Sequence, residues 1–148
     1  MKRVLCCILT ALLLIGIFPV CGNAAEIETI YFEDGSYATI EITSNGVRAS
    51  GSKTGSKSYT YYNSDSVKQW KASLTGSFTY SGSDATCTSS EINVTIYNSD
   101  CYVISKNAGK NGNTARGSVT MGLTLLGGTV EKTSASLTLE CDANGNLS

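Results

Sequence analysis

Histidine is absent from this chain of 148 residues. That removes the commonest general base, the histidine-activated serine and cysteine nucleophiles, and the commonest transition-metal ligand. Any enzyme built on this sequence would have to work with carboxylates. Neither sign of charge dominates, with 11 Lys and Arg against 12 Asp and Glu. No basic block exists that would attract nucleic acid or an anionic membrane. Proline occurs once, at Pro19, and beyond residue 25 there is no long apolar run. Cysteine is scarce where it would matter. Cys6, Cys7 and Cys21 fall in the first 21 residues, leaving Cys87, Cys101 and Cys141 for the rest.

What is present at the start is an export signal. Lys2 and Arg3 precede an apolar stretch from Val4 to Val20, and small residues follow at Gly22, Ala24 and Ala25. A positive region, an apolar region and small residues at a cleavage site form the secretory pattern. We expect cleavage near Ala24 or Ala25, leaving one domain over residues 26–148 that is secreted or held non-covalently at the cell surface. That domain keeps nine Lys and Arg and twelve Asp and Glu, a net charge near −3.

Serine and threonine supply 36 residues of this domain. Together with the tyrosines they suit pleated, half-wet surfaces, and good helix formers are few. Alternation of apolar and polar residues is the main pattern. Trp70, Ala72, Leu74, Gly76, Phe78 and Tyr80 share one face of a strand. Ile92, Val94 and Ile96 alternate likewise, as do Ala115 to Leu125, and Ala135, Leu137, Leu139 and Cys141. Strands over Ile27–Phe32 and Tyr37–Thr43 flank Glu33-Asp34-Gly35-Ser36, a hairpin signal. Turns are expected at Asn45-Gly46, Ser81 to Asp84 and Gly127-Gly128. Asn107 to Asn113 reads as a loop. Ser50 to Ser58 reads as low complexity or as a polar edge strand guarded by Lys53 and Lys57. The fold class is therefore all-β: an antiparallel sandwich of about eight strands, with a barrel as the alternative.

Tyr31-Phe32-Glu33-Asp34-Gly35-Ser36-Tyr37, Thr75-Gly76-Ser77-Phe78-Thr79-Tyr80 with Ala85-Thr86-Cys87, and Cys141 to Ser148 together resemble a set of small secreted proteins of Gram-positive anaerobic bacteria without assigned activity. The resemblance implies a secreted β domain and brings no site residues with it.

Candidate chemistry is thin. Carboxylate pairs could in principle hydrolyse a glycosidic bond. However, most of Glu33, Asp34, Glu41, Asp65, Asp84, Glu91, Asp100, Glu131, Glu140 and Asp142 lie where turns solvate them. Export permits a disulfide. Cys141 shares the inward phase of Leu137 and Leu139, so Cys87–Cys141 is the expected pair, with Cys101 free or an alternative partner for Cys87. Three reduced, buried thiols are the third reading. Asp142, Asn144 and Asn146 are spaced like the opening of a calcium loop, but the glycine is misplaced and the closing acid is missing, so a frayed polar terminus is expected and no metal. Asn93-Val94-Thr95 matches a glycosylation acceptor in mid-strand. Tyr59, Tyr61, Tyr62 and Trp70 could form an aromatic platform for a sugar, against which stands Trp70 at the head of an inward-facing strand.

Three functional readings result, none with a cofactor or nucleic acid. The first is a non-enzymatic extracellular binding module whose partner is a surface or a glycan. The second is a membrane-active toxin or bacteriocin-like factor using the last hairpin, since Thr114 to Cys141 alternates as transmembrane stem strands do. The third is a carbohydrate-directed hydrolase.

Overall fold

Alternating sequences give strands, and here they give eight. The computed structural model describes residues 26–45, 51–125, 128 and 130–148. The export segment expected over residues 1–25 lies outside the described residues, as do Gly46 and Gly127 of two expected turns. In chain order the strands are β1 (Glu26–Tyr31), β2 (Tyr37–Asn45), β3 (Ser52–Tyr62), β4 (Lys68–Tyr80), β5 (Ala85–Ile96), β6 (Cys101–Asn111), β7 (Thr114–Thr124) and β8 (Val130–Glu140). They form two antiparallel meanders, β1-β2-β3-β4-β5 and β6-β7-β8. Neither sheet closes on itself, so the sandwich is the observed architecture and the barrel is not.

Face assignment follows from register. Trp70 pairs with Tyr61 and Ile96, Ala72 with Tyr59 and Val94, and Leu74 with Lys57 and Ile92, so these residues share the inner face of the larger sheet. Ala115, Val119, Met121, Ala135, Leu137 and Leu139 form the inner face of the smaller one. Between them lies one core around Trp70, Leu74, Phe78, Val119, Met121 and Leu139, each under 2% exposed. The outer face of the larger sheet is hydroxyl-rich. Thr54 with Ser77, Ser56 with Thr75 and Ser58 with Ser73 hydrogen-bond across β3 and β4 at 3.1, 2.9 and 3.0 Å. Such cross-strand pairs contribute about 0.2–1 kcal/mol each.

Two segments differ from expectation. Ser52 to Ser58 belongs to β3, which lies between β2 and β4 inside the larger sheet rather than at its edge. Its serines and threonines face the wet side, and its lysines share the inner face with glycine and tyrosine, so no apolar alternation betrays it. Asn107 to Asn111 is also strand, the end of β6, with the turn confined to Gly112-Asn113. β6 is an edge strand and most of it is exposed, so glycine and asparagine are tolerated there.

The smaller sheet cannot cover the larger. β8 packs over β3 and β4, β7 over β4 and β5, and β6 mainly over β5; among the described residues no strand of the smaller sheet packs on β1 or β2. Ala38 of β2 belongs to the core at 0% exposed, and the rest of the inner faces of β1 and β2 overhang. Ile40 and Ile42 are half-buried, and Ile30 is 37% exposed. The C-terminal residues cover one end of this overhang. Asp142 to Asn146 make a tight turn, with Gly145 at φ +84°. Cys141 and Leu147 then bridge antiparallel, and Glu140 and Ser148 exchange backbone hydrogen bonds of 3.0 and 3.1 Å. Leu147 packs against Gly55, where a Cβ would collide with it. Lys53 Nζ donates to the Gly145 carbonyl at 2.8 Å. The terminus is thus pinned rather than frayed.

Gly76 and Gly117 stand where side chains of the two sheets meet. A Cβ on Gly117 would lie 2.8 Å from Ile92 Cδ1 and 3.0 Å from Leu74 Cδ1. Gly117→Val should therefore destabilise the fold by about 1–3 kcal/mol, the usual cost of forcing extra carbons into a packed core. Urea unfolding checks this: an unchanged midpoint would show that the sheets can move apart freely at this point.

Candidate functional site

The β1–β2 connection is a turn held by backbone bonds from Phe32 N to Ser36 O (2.9 Å) and from Gly35 N to Phe32 O (3.1 Å), with Gly35 at φ +82°. A left-handed residue is required there, and glycine adopts it without a steric penalty. The Asp34 carboxylate closes the turn, Oδ1 accepting from Ser36 Oγ at 2.6 Å and from Ser36 N at 3.0 Å. These bonds stabilise the ionised form. The Ser36 hydroxyl above all, then its backbone N–H, hold the Asp34 carboxyl below its ordinary value of 3.8.

This turn stands at the open side of the sandwich, opposite the start of β8. An open groove of about 300 Å3 lies between them, lined by Phe32, Glu33, Asp34, Ser36, Tyr61, Glu131 and Thr133. Phe32 and Tyr61 form its aromatic part, their ring centroids 6.1 Å apart and tilted by 52°. Glu131 and Thr133 continue the inward phase of Ala135, Leu137 and Leu139 to the rim of the sandwich, beside Tyr61. Three carboxylates and two hydroxyls therefore surround an aromatic wall. No lysine or arginine lines the groove. Such a site offers hydrogen-bond acceptors and negative charge beside ring faces, the combination that receives a cationic group.

The aromatic residues singled out in the sequence are not one platform. Trp70 is 1% exposed and Tyr59 is buried, the two rings 5.2 Å apart in the core. Burial pushes the Tyr59 phenol up to about 12. Tyr61 lies beside Trp70 at 5.8 Å and reaches the groove. Tyr62 faces the opposite side of the sheet, as successive side chains of a strand do, and pairs with Lys68 across the bulge at Gln69. There it stacks on Tyr37 at 4.6 Å and 7°, with Tyr31 beyond at 5.8 Å and Lys68 Nζ over the Tyr62 and Tyr97 rings. These rings lie on the other side of the sheet from Tyr61 and Trp70, and Tyr31 and Tyr97 are 77% and 50% exposed there.

The expected Cys87–Cys141 disulfide is not formed. Cys87, Cys101 and Cys141 are free, buried thiols. Cys141 does point inward, as its phase suggested, and so does Cys87 opposite Phe78. Each thiol has a local acceptor instead: Cys87 Sγ donates to Ser89 O at 3.2 Å and Cys141 Sγ to Asp142 O at 3.5 Å. Cys101, the alternative partner, lies beyond the far end of β5, most of a strand length from Cys87 at about 3.3 Å per residue. All three act as small core hydrophobes.

The Asp142 turn does not offer a cation cage either. Its Oδ1 accepts from Asn144 N and Asn146 N, both at 2.8 Å, and Oδ2 from Asn146 Nδ2 at 2.7 Å. Bonds to Asn146 are the main cause of the lowered Asp142 pKa. Among the described residues no cluster of three or more His, Cys, Asp or Glu could hold a metal ion.

The groove itself escaped the sequence reading. In the sequence Glu33, Asp34 and Glu131 stand among ten carboxylates that could pair for hydrolysis, most of them expected to be solvated in turns, and nothing there joins these three. The available signal was Glu131, an acid on the core phase of an otherwise apolar strand face. Comparison with protein-family models, curated proteins and solved structures returns no match to this chain.

Burial pushes all three thiols up, that of Cys101 aided by Asp100 and that of Cys141 by Asp142. A thiolate is the reactive species. For the chain from Glu26 to Ser148, a disulfide-exchange reagent at pH 8 should find almost no reactive thiol in the native protein and three in denaturant. Fast stoichiometric reaction of the native chain would contradict the burial, and a single thiol in denaturant would restore a bond between two of the cysteines.

Proposed function

We propose that the chain is an extracellular binding module that performs no chemistry of its own and holds a surface component carrying a protonated amine. One observation carries this reading: the open groove of about 300 Å3 in which Glu33, Asp34 and Glu131 surround Phe32 and Tyr61 with no basic residue among them. An ammonium group over an aromatic ring is stabilised by about 0.5–2 kcal/mol, and adjacent carboxylates add charge-assisted hydrogen bonds. The export signal at the N-terminus and the resemblance to small secreted β proteins favour a site of action outside the cell. The missing histidine and the absence of a metal cluster among the described residues leave binding as the simplest use of the groove. A membrane-active role for the last hairpin gains nothing from the fold, because the apolar sides of β7 and β8 are already the core of the smaller sheet.

Co-sedimentation with isolated cell-wall material, with liposomes in parallel, tests this. Saturable pelleting with wall is expected, weakened about a hundredfold by Asp34→Asn with Glu131→Gln together, since each charged contact contributes about 1.4 kcal/mol or more. The pH dependence has a definite sign. The Asp34 carboxyl is held below 3.8, so its contribution is present above that value and is lost only as pH falls through the lowered one. Pelleting should persist at pH 4.5 and be reduced by added salt. Pelleting with liposomes alone, or wall binding indifferent to both substitutions, would overturn the reading.

A further inference from the structure

The groove is one end of a longer gap. β8 is the last strand of its sheet, paired with β7 on one side only. Backbone bonding groups alternate sides along an antiparallel strand. Glu140 turns both of its groups to Ser148, and Cys141 N turns to Asn113 O on the β7 side. By the same alternation Thr138, Ser136, Ser134 and Lys132 present their N–H and C=O groups to the open edge. Facing that edge is the overhang of β2 and β1, with Ile42, Ile40 and Ile30 incompletely covered. Leu147 and Ser148 already occupy the first two positions of a ninth strand there, with Leu147 directed inward onto Gly55. They mark the line, direction and phase of whatever continues along β8.

We propose that the open edge of β8 receives an extended peptide segment of another protein, antiparallel to β8, whose inward apolar side chains cover Ile42 and Ile40 and whose lysine or arginine enters the Phe32–Tyr61 groove. The inference rests on the binding-module reading and names the kind of partner it implies. Three features select this occupant. The free backbone edge demands a strand, because main-chain groups supply affinity and alternate side chains supply specificity in strand addition. Inner-face isoleucines demand apolar residues at every second position. Charge is mixed towards the Leu147 end of the gap, where Lys57 pairs with Ile42 and Glu28 with Ile40, and purely acidic at the other, where Glu33, Asp34 and Glu131 stand. A cation on the incoming strand therefore belongs near its C-terminal end. β1 is the other free edge of interest, but no strand of the smaller sheet lies over it. A strand added there would find no opposing layer to bury against.

The test uses the full chain and a synthetic probe, a short peptide alternating isoleucine with threonine and ending in lysine amide, with the isoleucines and the lysine in one phase. Fluorescence anisotropy of the labelled peptide measures binding, and amide hydrogen exchange by NMR locates it. Saturable binding is expected, with exchange slowed at Thr138, Ser136 and Ser134. Glutamate in place of the peptide's lysine should weaken binding about tenfold, equivalent to about 1.4 kcal/mol, and Glu131→Gln should do the same to the original peptide. The peptide-side change needs no variant protein, so misfolding cannot imitate it. Binding without protection of those three amides, protection along β1 instead, or indifference to the lysine would each overturn strand addition. If no peptide binds while wall pelleting still depends on Asp34 and Glu131, strand addition fails and the binding module stands. If the peptide binds as described while wall pelleting ignores the groove, the surface partner is the error and the strand site stands.

Discussion

Three strands cannot roof five. The inner face of the larger sheet carries Trp70, Leu74 and Phe78 on β4, and burying these large side chains is the main apolar gain available to the chain. The smaller sheet is therefore centred over β3, β4 and β5. Close packing there has a local cost. A glycine inside a strand costs roughly 0.5–1 kcal/mol relative to alanine, yet Gly55, Gly76 and Gly117 all stand on inward faces. In each case a Cβ would meet Leu147, Phe78 or the Ile92 and Leu74 side chains. The loss of a few tenths to one kcal/mol per site is smaller than the 1–3 kcal/mol that overpacking would impose. Centring the roof on β4 also leaves β1 and part of β2 incompletely covered, with Ala38 buried but Ile40 and Ile42 only half-buried, and the groove and the open edge of β8 both follow from that offset.

Legibility in the sequence tracks burial on one face. β4 and β7 could be read residue by residue, because each has a core side and a wet side and the two differ sharply in polarity. β6 and β3 could not. β6 lies at an edge and exposes nearly all of its length, so its Gly, Asn and Lys residues carry no phase. β3 is central, but its inner face includes Gly55, Lys57 and Lys53, the first serving the tail and Lys53 the Gly145 carbonyl. Its inner face answers to residues about ninety positions later, which no local pattern contains. Cys141 and Cys87 show the same limit. Their inward phase was readable, whereas their backbone acceptors were not. The groove was hidden for a related reason: it joins a turn at residues 32–36 to the start of β8, and neither half has the composition of a site alone.

The abundance of serine and threonine has two different uses. On the outer face of the larger sheet they satisfy one another across β3 and β4, and Thr120 with Ser134 does so at 3.1 Å on the smaller sheet. These ladders fix register where no apolar side chain could, since a slip by one residue would set hydroxyls against the core. Along the open edge of β8 the same residue types have another effect. Ser134, Ser136 and Thr138 have short side chains, and these leave the backbone groups beside them accessible in a way that long charged residues would not.

An accessible edge beside half-covered isoleucines invites indiscriminate pairing, and proteins usually obstruct such edges with charge. Here the obstruction is Glu131, an acid on the inward phase of β8, with Glu33 and Asp34 across the gap. An apolar strand laid along β8 would have to strip water from these carboxylates without replacing the lost interactions, and an uncompensated buried charge is far more costly than a missed apolar contact is favourable. A strand that brings a cation to this point avoids that cost. The acids therefore act in opposite directions on different partners, rejecting a purely apolar strand and holding a basic one. Asp34 is well suited to this, because Ser36 keeps it ionised below the ordinary carboxyl range whether or not a partner is present. Selectivity at this edge consequently belongs to the turn that fixes Asp34 and to the phase that turns Glu131 inward.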